Sequence, residues 1–277
     1  MQFMASPAGA ARPPIPILAY HQIGRRPARG LPYRGLVVAP ATFSRQMRLL
    51  RALGWQGLSM GQLEPYLRGE KHGKVVGITF DDGYANAYHH ALPVLHGLGF
   101  SATIYVVSGQ LGGTNVWDRP LGYPAEPLMD AQQLRAWVAS GQEVGAHTRN
   151  HVDLRRVDAA RAREEILRCR HDLEQVLRLP VRHFCYPYGR YRPEHVAMAR
   201  EAGYATATTN HGGRSRAGDA LLELPRVVAR SVLTLTLLWA HWQRDGLPGL
   251  SARPVPAAAR PAAAPTHAAP AGSARPR

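Results

Sequence analysis

Short apolar, β-branched runs alternate along this chain with stretches of helical periodicity, and that alternation limits most strongly what it can fold into. Residues 74–80, 101–107, 143–146, 182–186, 204–208 and 222–228 read as strands. Helical patterns at 84–98, 130–139 and 158–177 lie between them. In the first helix Leu92, Val94, Leu95 and Leu98 hold the apolar positions, and Pro93 predicts a break or kink. The last opens on Asp158 as N-cap and turns Ile166, Leu173, Val176 and Leu177 inward. Such a sequence predicts a parallel sheet or barrel, where active sites gather at the carboxyl ends of the strands.

Three of these strand ends carry polar chemistry. The first delivers Asp81 and Asp82 in Thr79-Phe80-Asp81-Asp82-Gly83-Tyr84, the second His147 and His151, the third Pro187 and Tyr188. Each has an ordinary reading when taken alone: Asp-Asp-Gly is a common turn, and an aromatic after Pro is often simple packing. The histidines do not fit a helical metalloprotease pattern, because Thr148 stands where that pattern needs Glu. The run Glu143-Val144-Gly145-Ala146 instead puts both on a loop at a strand end. Together, one hard anionic oxygen and two imidazoles can converge on a single divalent metal, which suggests a metal-dependent hydrolase.

Thr79-Phe80-Asp81-Asp82-Gly83, His147-Thr148-Arg149-Asn150-His151 and Tyr186-Pro187-Tyr188-Gly189, in this order, resemble the first three motifs of the NodB-homology polysaccharide deacetylases, carbohydrate esterase family four. The resemblance covers about residues 15–228. It implies an α/β fold, a single-domain distorted (β/α) barrel with a metal-dependent N-deacetylase site. By motif position it implies Asp81 as general base and Asp82, His147 and His151 as metal ligands. Two departures narrow it. Many members carry Arg three residues before the motif's Tyr, where this chain has Cys185, and no Leu-x-His follows Tyr188. An early Tyr20-His21 and a late Leu224-Pro225-Arg226-Val227 resemble instead the branch that includes poly-β-1,6-N-acetylglucosamine deacetylases. In that branch the barrel is circularly permuted and an early His supplies the general acid, which implies that role for His21.

Amide hydrolysis near neutral pH calls for a Lewis acid on the carbonyl oxygen and an acidified water. A free carboxylate, Asp81, can take the water's proton if a nearby cation keeps it ionised, and Arg226 is the candidate cation. The departing amine needs a proton, which suits an imidazole. The metal and a backbone N–H, that of Tyr188, would meet the oxyanion, with Pro187 and Tyr188 lining the sugar pocket. His211, after the strand at 204–208, is a second candidate acid or glycan contact. Zinc suits two imidazoles and a carboxylate, and cobalt, nickel, iron or manganese can occupy the same set. The expected substrate is an N-acetylated glycan with N-acetylglucosamine-type units. The alternatives are a smaller or lipid-linked sugar, or a catalytically silent glycan-binding homologue.

With 277 residues and 45% hydrophobic content, the chain supports one large core. Its organisation reads as a disordered N-terminus at 1–14, the barrel domain at 15–250, and a disordered Ala/Pro/Arg-rich tail at 251–277. The net charge of +15 does not point to nucleic acid: four arginines lie in the tail, and no basic run interleaved with aromatics occurs. The surplus favours peripheral contact with an anionic envelope surface. Cys169 and Cys185 fall on separate elements and are not expected to pair. The start lacks an apolar signal core, so the chain reads as cytoplasmic as it stands, or as an envelope or periplasmic protein if an export segment is missing. The apolar stretch at 232–240 is too short for a membrane span and reads as a helix packed on the barrel.

Overall fold

The computed structural model describes residues 13–229 apart from 29 and 31–33. The tail, most of the N-terminal segment and the expected helix at 232–240 lie outside the described residues. The elements are β1 (Ile17–Tyr20), β2 (Gln22–Ile23), β3 (Val37–Val38), α1 (Pro40–Ala52), β4 (Gln56–Leu58), α2 (Met60–Leu67), β5 (Val75–Phe80), α3 (Ala85–His90) and α4 (Leu92–Leu98). They continue with β6 (Thr103–Val106), α5 (Ala131–Ala139), β7 (Glu143–Ala146), α6 (Ala159–Leu177), β8 (His183–Cys185), α7 (Pro193–Glu201), β9 (Thr206–Gly212) and β10 (Leu224–Val228).

Seven strands close a parallel barrel in the order β1, β5, β6, β7, β8, β9, β10, because β1 pairs on one side with β5 and on the other with β10. β4 adds an eighth strand along Val75–Gly77 of β5. β2 and β3 form a separate parallel pair beside the barrel mouth.

The two-residue period of a strand divides these sequences between two cores. Ile17, Val75, Tyr105, Cys185 and Leu224 point into a small inner core, which Met60, Leu63 and Leu67 of α2 join. Leu18, Ile78, Phe80, Ile104, Val144 and Phe184 turn outward into the larger core beneath the helices. β5 is therefore buried along its whole length, as parallel strands covered on both faces are. Gly145 makes the inner packing possible. A Cβ there would meet the Tyr105 ring at 2.5 Å, so only glycine lets that ring lie across β7.

The helices follow their local signals. Asp130 caps α5 in a full capping box with Gln133, and Asp158 caps α6 through the Arg161 N–H. The stretch 84–98 forms two helices rather than one kinked one. The break falls at Ala91, two residues ahead of Pro93, since a proline is tolerated only in the first turn of the new helix. Val176 and Leu177 are half-buried at the edge of the core, while Ile166 and Leu173 are fully inside. No helix among the described residues is long and apolar enough to cross a membrane.

Candidate active site

The carboxyl ends of β1, β5, β7, β8 and β10 bring together every residue singled out from the sequence except His211. Asp81 continues the inward alternation of Gly77 and Thr79 on β5, and its N–H donates to Tyr20 O at 2.9 Å, which places the next residue of that strand, His21, beside it. His21 Nε2 lies 3.7 Å from Asp81 Oδ2. Its Nδ1 is buried and has no hydrogen-bond partner among the described residues.

Asp82 turns away from the strand with φ +73°. Its Oδ1 lies 3.3 Å from His147 Nε2 and 3.1 Å from His151 Nε2. Thr148, His151 and Tyr188 also hold positive φ, so four of the five non-glycine residues with that backbone among those described surround one site. Each such conformation costs on the order of 1–3 kcal/mol and persists only where its surroundings impose it.

The tautomer of His147 says what this cluster can hold. Its Nδ1 is 2.7 Å from Cys185 O, and a carbonyl accepts only from N–H, so Nδ1 carries hydrogen. In the neutral ring, Nε2 then turns a lone pair toward a carboxylate oxygen. Two acceptors at this distance need a positive centre between them, either a proton on the ring or a metal ion. His151 offers a second Nε2 to the same oxygen, while its Nδ1 lies 3.1 Å from Tyr188 Oη. Asp82, His147 and His151 thus form a buried set with ligand atoms within 4.8 Å of one another, and this donor set suits a divalent cation. A second cluster, Asp81, His147 and Cys185, meets the same distance. There Arg226 donates to both Asp81 and Cys185 Sγ, so a fixed cation already fills that corner.

Without a metal, burial disfavours every charge here, and the neighbours decide the outcome. Burial of Asp82 is overcome by His151 and His147, which hold its carboxyl well below the usual range. Burial of His147 is overcome by Cys185 and Asp82, and its pKa rises well above that of a free imidazole. For His151 burial prevails over Asp82, and its pKa falls.

Arg226 forms a bidentate pair with Asp81, Nη1 to Oδ1 at 2.6 Å and Nη2 to Oδ2 at 2.7 Å. The guanidinium also donates to Thr209 O, Thr79 Oγ1, Asn210 Oδ1 and Cys185 Sγ, and it lies over the Tyr105 ring. Burial raises the Asp81 pKa, but Arg226 outweighs it and the net direction is down. Cys185, standing where many family members carry arginine, leaves room for a guanidinium that arrives from β10.

His21, Asp81, Asp82, His147 and His151 line a cavity of about 200 Å³ together with Gln22, Tyr84, Trp117, Asp118, Tyr188 and Asn210. Pro187 is buried at the base of the Tyr188 turn. Trp117 stacks on His151, with centroids 4.4 Å apart and planes 28° from parallel. Asp118 accepts from Tyr84 Oη at 3.3 Å and Asn115 Nδ2 at 3.1 Å. Sequence reasoning missed Trp117 and Asp118, which sit in a short 3-10 helix, Val116–Leu121, too brief for apolar periodicity to place it. His211 is exposed, packs against Tyr191 and does not line the cavity.

A profile of the polysaccharide deacetylase family matches residues 68–207, and the chain belongs to that family. Over 215 residues it is 26% identical to YxkH of Bacillus subtilis (strain 168), a protein named as a polysaccharide deacetylase; the match spans 77% of this chain and 70% of the relative. It is 32% identical over 132 residues to a chitooligosaccharide deacetylase of Bradyrhizobium sp. (strain ANU 289), across 46% of this chain and 52% of that one. Its fold is similar to the Streptococcus pyogenes deacetylase PplD in complex with acetate, with TM-score 0.69 and 26% identity over 81% of this chain and 98% of that one. IcaB from Ammonifex degensii is similar too, with TM-score 0.69 and 27% identity over 84% and 97%.

Proposed function

We propose that this protein is a metal-dependent N-deacetylase that removes acetyl groups from N-acetylglucosamine-type units of a glycan and releases acetate. The observation that carries this reading is the pair of adjacent carboxylates with opposite surroundings. Asp82 faces two imidazole nitrogens, and Asp81 faces a buried guanidinium 2.6 Å away.

In this reading Asp82, His147 and His151 hold the ion, with zinc the best match to the donors. When bound, the ion supplies Lewis acidity to the acetyl carbonyl and lowers the pKa of a water. Asp81, kept ionised by Arg226, takes a proton from the attacking water. His21, on the neighbouring strand end, gives a proton to the departing amine. Tyr188 orients His151 through its hydroxyl and, with Pro187, shapes the wall that receives the sugar. The oxyanion is assigned to the backbone N–H of Tyr188. The similar proteins named as deacetylases, one of them captured with acetate, support the reaction class; the polysaccharide deacetylase family match and the chitooligosaccharide deacetylase support a glycan as substrate.

The test is acetate release from β-1,6- and β-1,4-linked N-acetylglucosamine oligomers, with protein stripped by chelator and reloaded with single metals. Metal-restored release on one linkage is the expected result. Stoichiometric metal binding with no release from either series would overturn the assignment.

A further inference from the structure

The first 63 residues contain eight arginines and no aspartate or glutamate, and residues 83–117 contain no acid either. These stretches are neighbours in space. α1 packs on α4 and β4, and none of the three carries a carboxylate. Along α1 the exposed side chains Arg45, Arg48 and Arg51 follow one another at one-turn spacing, and among the described residues they make no ion pair or hydrogen bond.

α6 is equally rich in arginine and is built differently. Arg161 pairs with Glu164 and Glu165, Arg163 with Glu201, and Arg170 with Glu174. Three of the four arginines of α6 are thus paired within the molecule, whereas those of α1 repel one another across successive turns with no carboxylate paired to them among the described residues. Beyond β3, Arg25 and Arg26 line a basin with a single acid, Glu126, and this basin shares Gln22, Val37 and Tyr123 with the catalytic cavity.

We infer that the α1 face is an electrostatic docking surface for an anionic phospholipid bilayer. Three exposed arginines in a row along one helix face match an extended sheet of negative charge better than a bounded ligand. Among the described residues, none of the large exposed apolar side chains, Leu121, Leu167 and Leu179, lies on this face, so contact is by charge alone and without insertion. The inference does not depend on the reaction assigned to the cavity.

The experiment is co-sedimentation of the full chain with vesicles of phosphatidylcholine alone or mixed with phosphatidylglycerol, at low and at physiological ionic strength. The wild type should bind only the anionic vesicles and lose binding as salt rises. Arg45→Gln, Arg48→Gln and Arg51→Gln combined should weaken that binding about a hundredfold. Arg161→Gln, Arg163→Gln and Arg170→Gln on α6, an equal change in net charge, should leave it within about twofold. Equal binding to neutral vesicles, equal loss in the two triple variants, or binding to a soluble polyanion such as heparin with vesicles ignored would each overturn the inference. Circular dichroism of the two variants checks that both are folded.

Discussion

The two ends of the barrel hold buried charge in opposite ways. At the amino ends of the strands, Glu143 accepts from Gly61 N–H at 3.0 Å and Thr103 Oγ1 at 2.5 Å and lies 3.3 Å from His183 Nε2; His183 Nδ1 in turn meets Thr206 Oγ1 at 2.8 Å. Every member sits on or beside regular backbone and is satisfied by its neighbours. At the carboxyl ends, four residues hold positive φ, an acceptor nitrogen faces an acceptor oxygen, and His21 Nδ1 has no hydrogen-bond partner among the described residues. The lower network closes the barrel around α2, while the upper one is left incomplete in a way that a cation and a substrate would complete. Stability and chemistry are thus assigned to different ends of the same strands.

Substitutions can break this contrast, and the largest effect should come from the ion-holding set. Asp82→Ala or His147→Ala should abolish stoichiometric metal binding and acetate release together, read by metal analysis and turnover on the same sample. Asp81→Asn should keep the metal and lower kcat by about 10³-fold, within the range for loss of a general base. Because the folded Asp81 pKa lies below its usual value, this carboxylate is ionised at any pH above about 4. An acid limb of the rate profile above pH 5 must then belong to another group, and a limb there that disappears in Asp81→Asn contradicts the assignment.

Tyr188→Phe removes only the hydroxyl that meets His151 Nδ1, and metal affinity should fall about 10-fold, as when a partner behind a ligand is lost. The smallest change in turnover should come from the other end. Glu143→Gln should leave kcat within about twofold while destabilising the fold by about 1–3 kcal/mol, measured by denaturant unfolding. The Glu143 pKa is lowered, burial being outweighed by His183, Thr103 and Gly61. Its contribution is therefore present above the unfolded pKa of about 4.3 and is lost as pH falls through the lower folded value. The variant's stability should accordingly show a shallower decline below about pH 4.3 than the wild type's.

Strands β5 to β10 and the order of the site residues were legible because both depend on local pattern, whereas β1 to β4, each of two to four residues, were not read as strands. The apolar run ending in Asp81-Asp82 and the run before His147 announce strands and their carboxyl ends. Arg226 was legible only as a candidate, since a bidentate contact across 145 positions depends on barrel closure and on Cys185 leaving space. α1, α2 and α7 were not read as helices: α2 contains Pro65 and α7 opens on Pro193, which mask helical periodicity. Trp117 and Asp118 were invisible because the 3-10 helix that drops them over the cavity is too short to show a period.

Arg226 arrives on the last strand of the barrel, and His21 follows the first. A chain emerging from the ribosome delivers the Asp-Asp turn and both histidines long before β10 exists. Until that strand docks, Asp81 has no counter-ion, and β1 has a neighbour on one side only. Onset of turnover during synthesis or refolding therefore reports the final ring-closing event rather than the collapse of the core, and a chain truncated before residue 224 would carry three family motifs and remain inert.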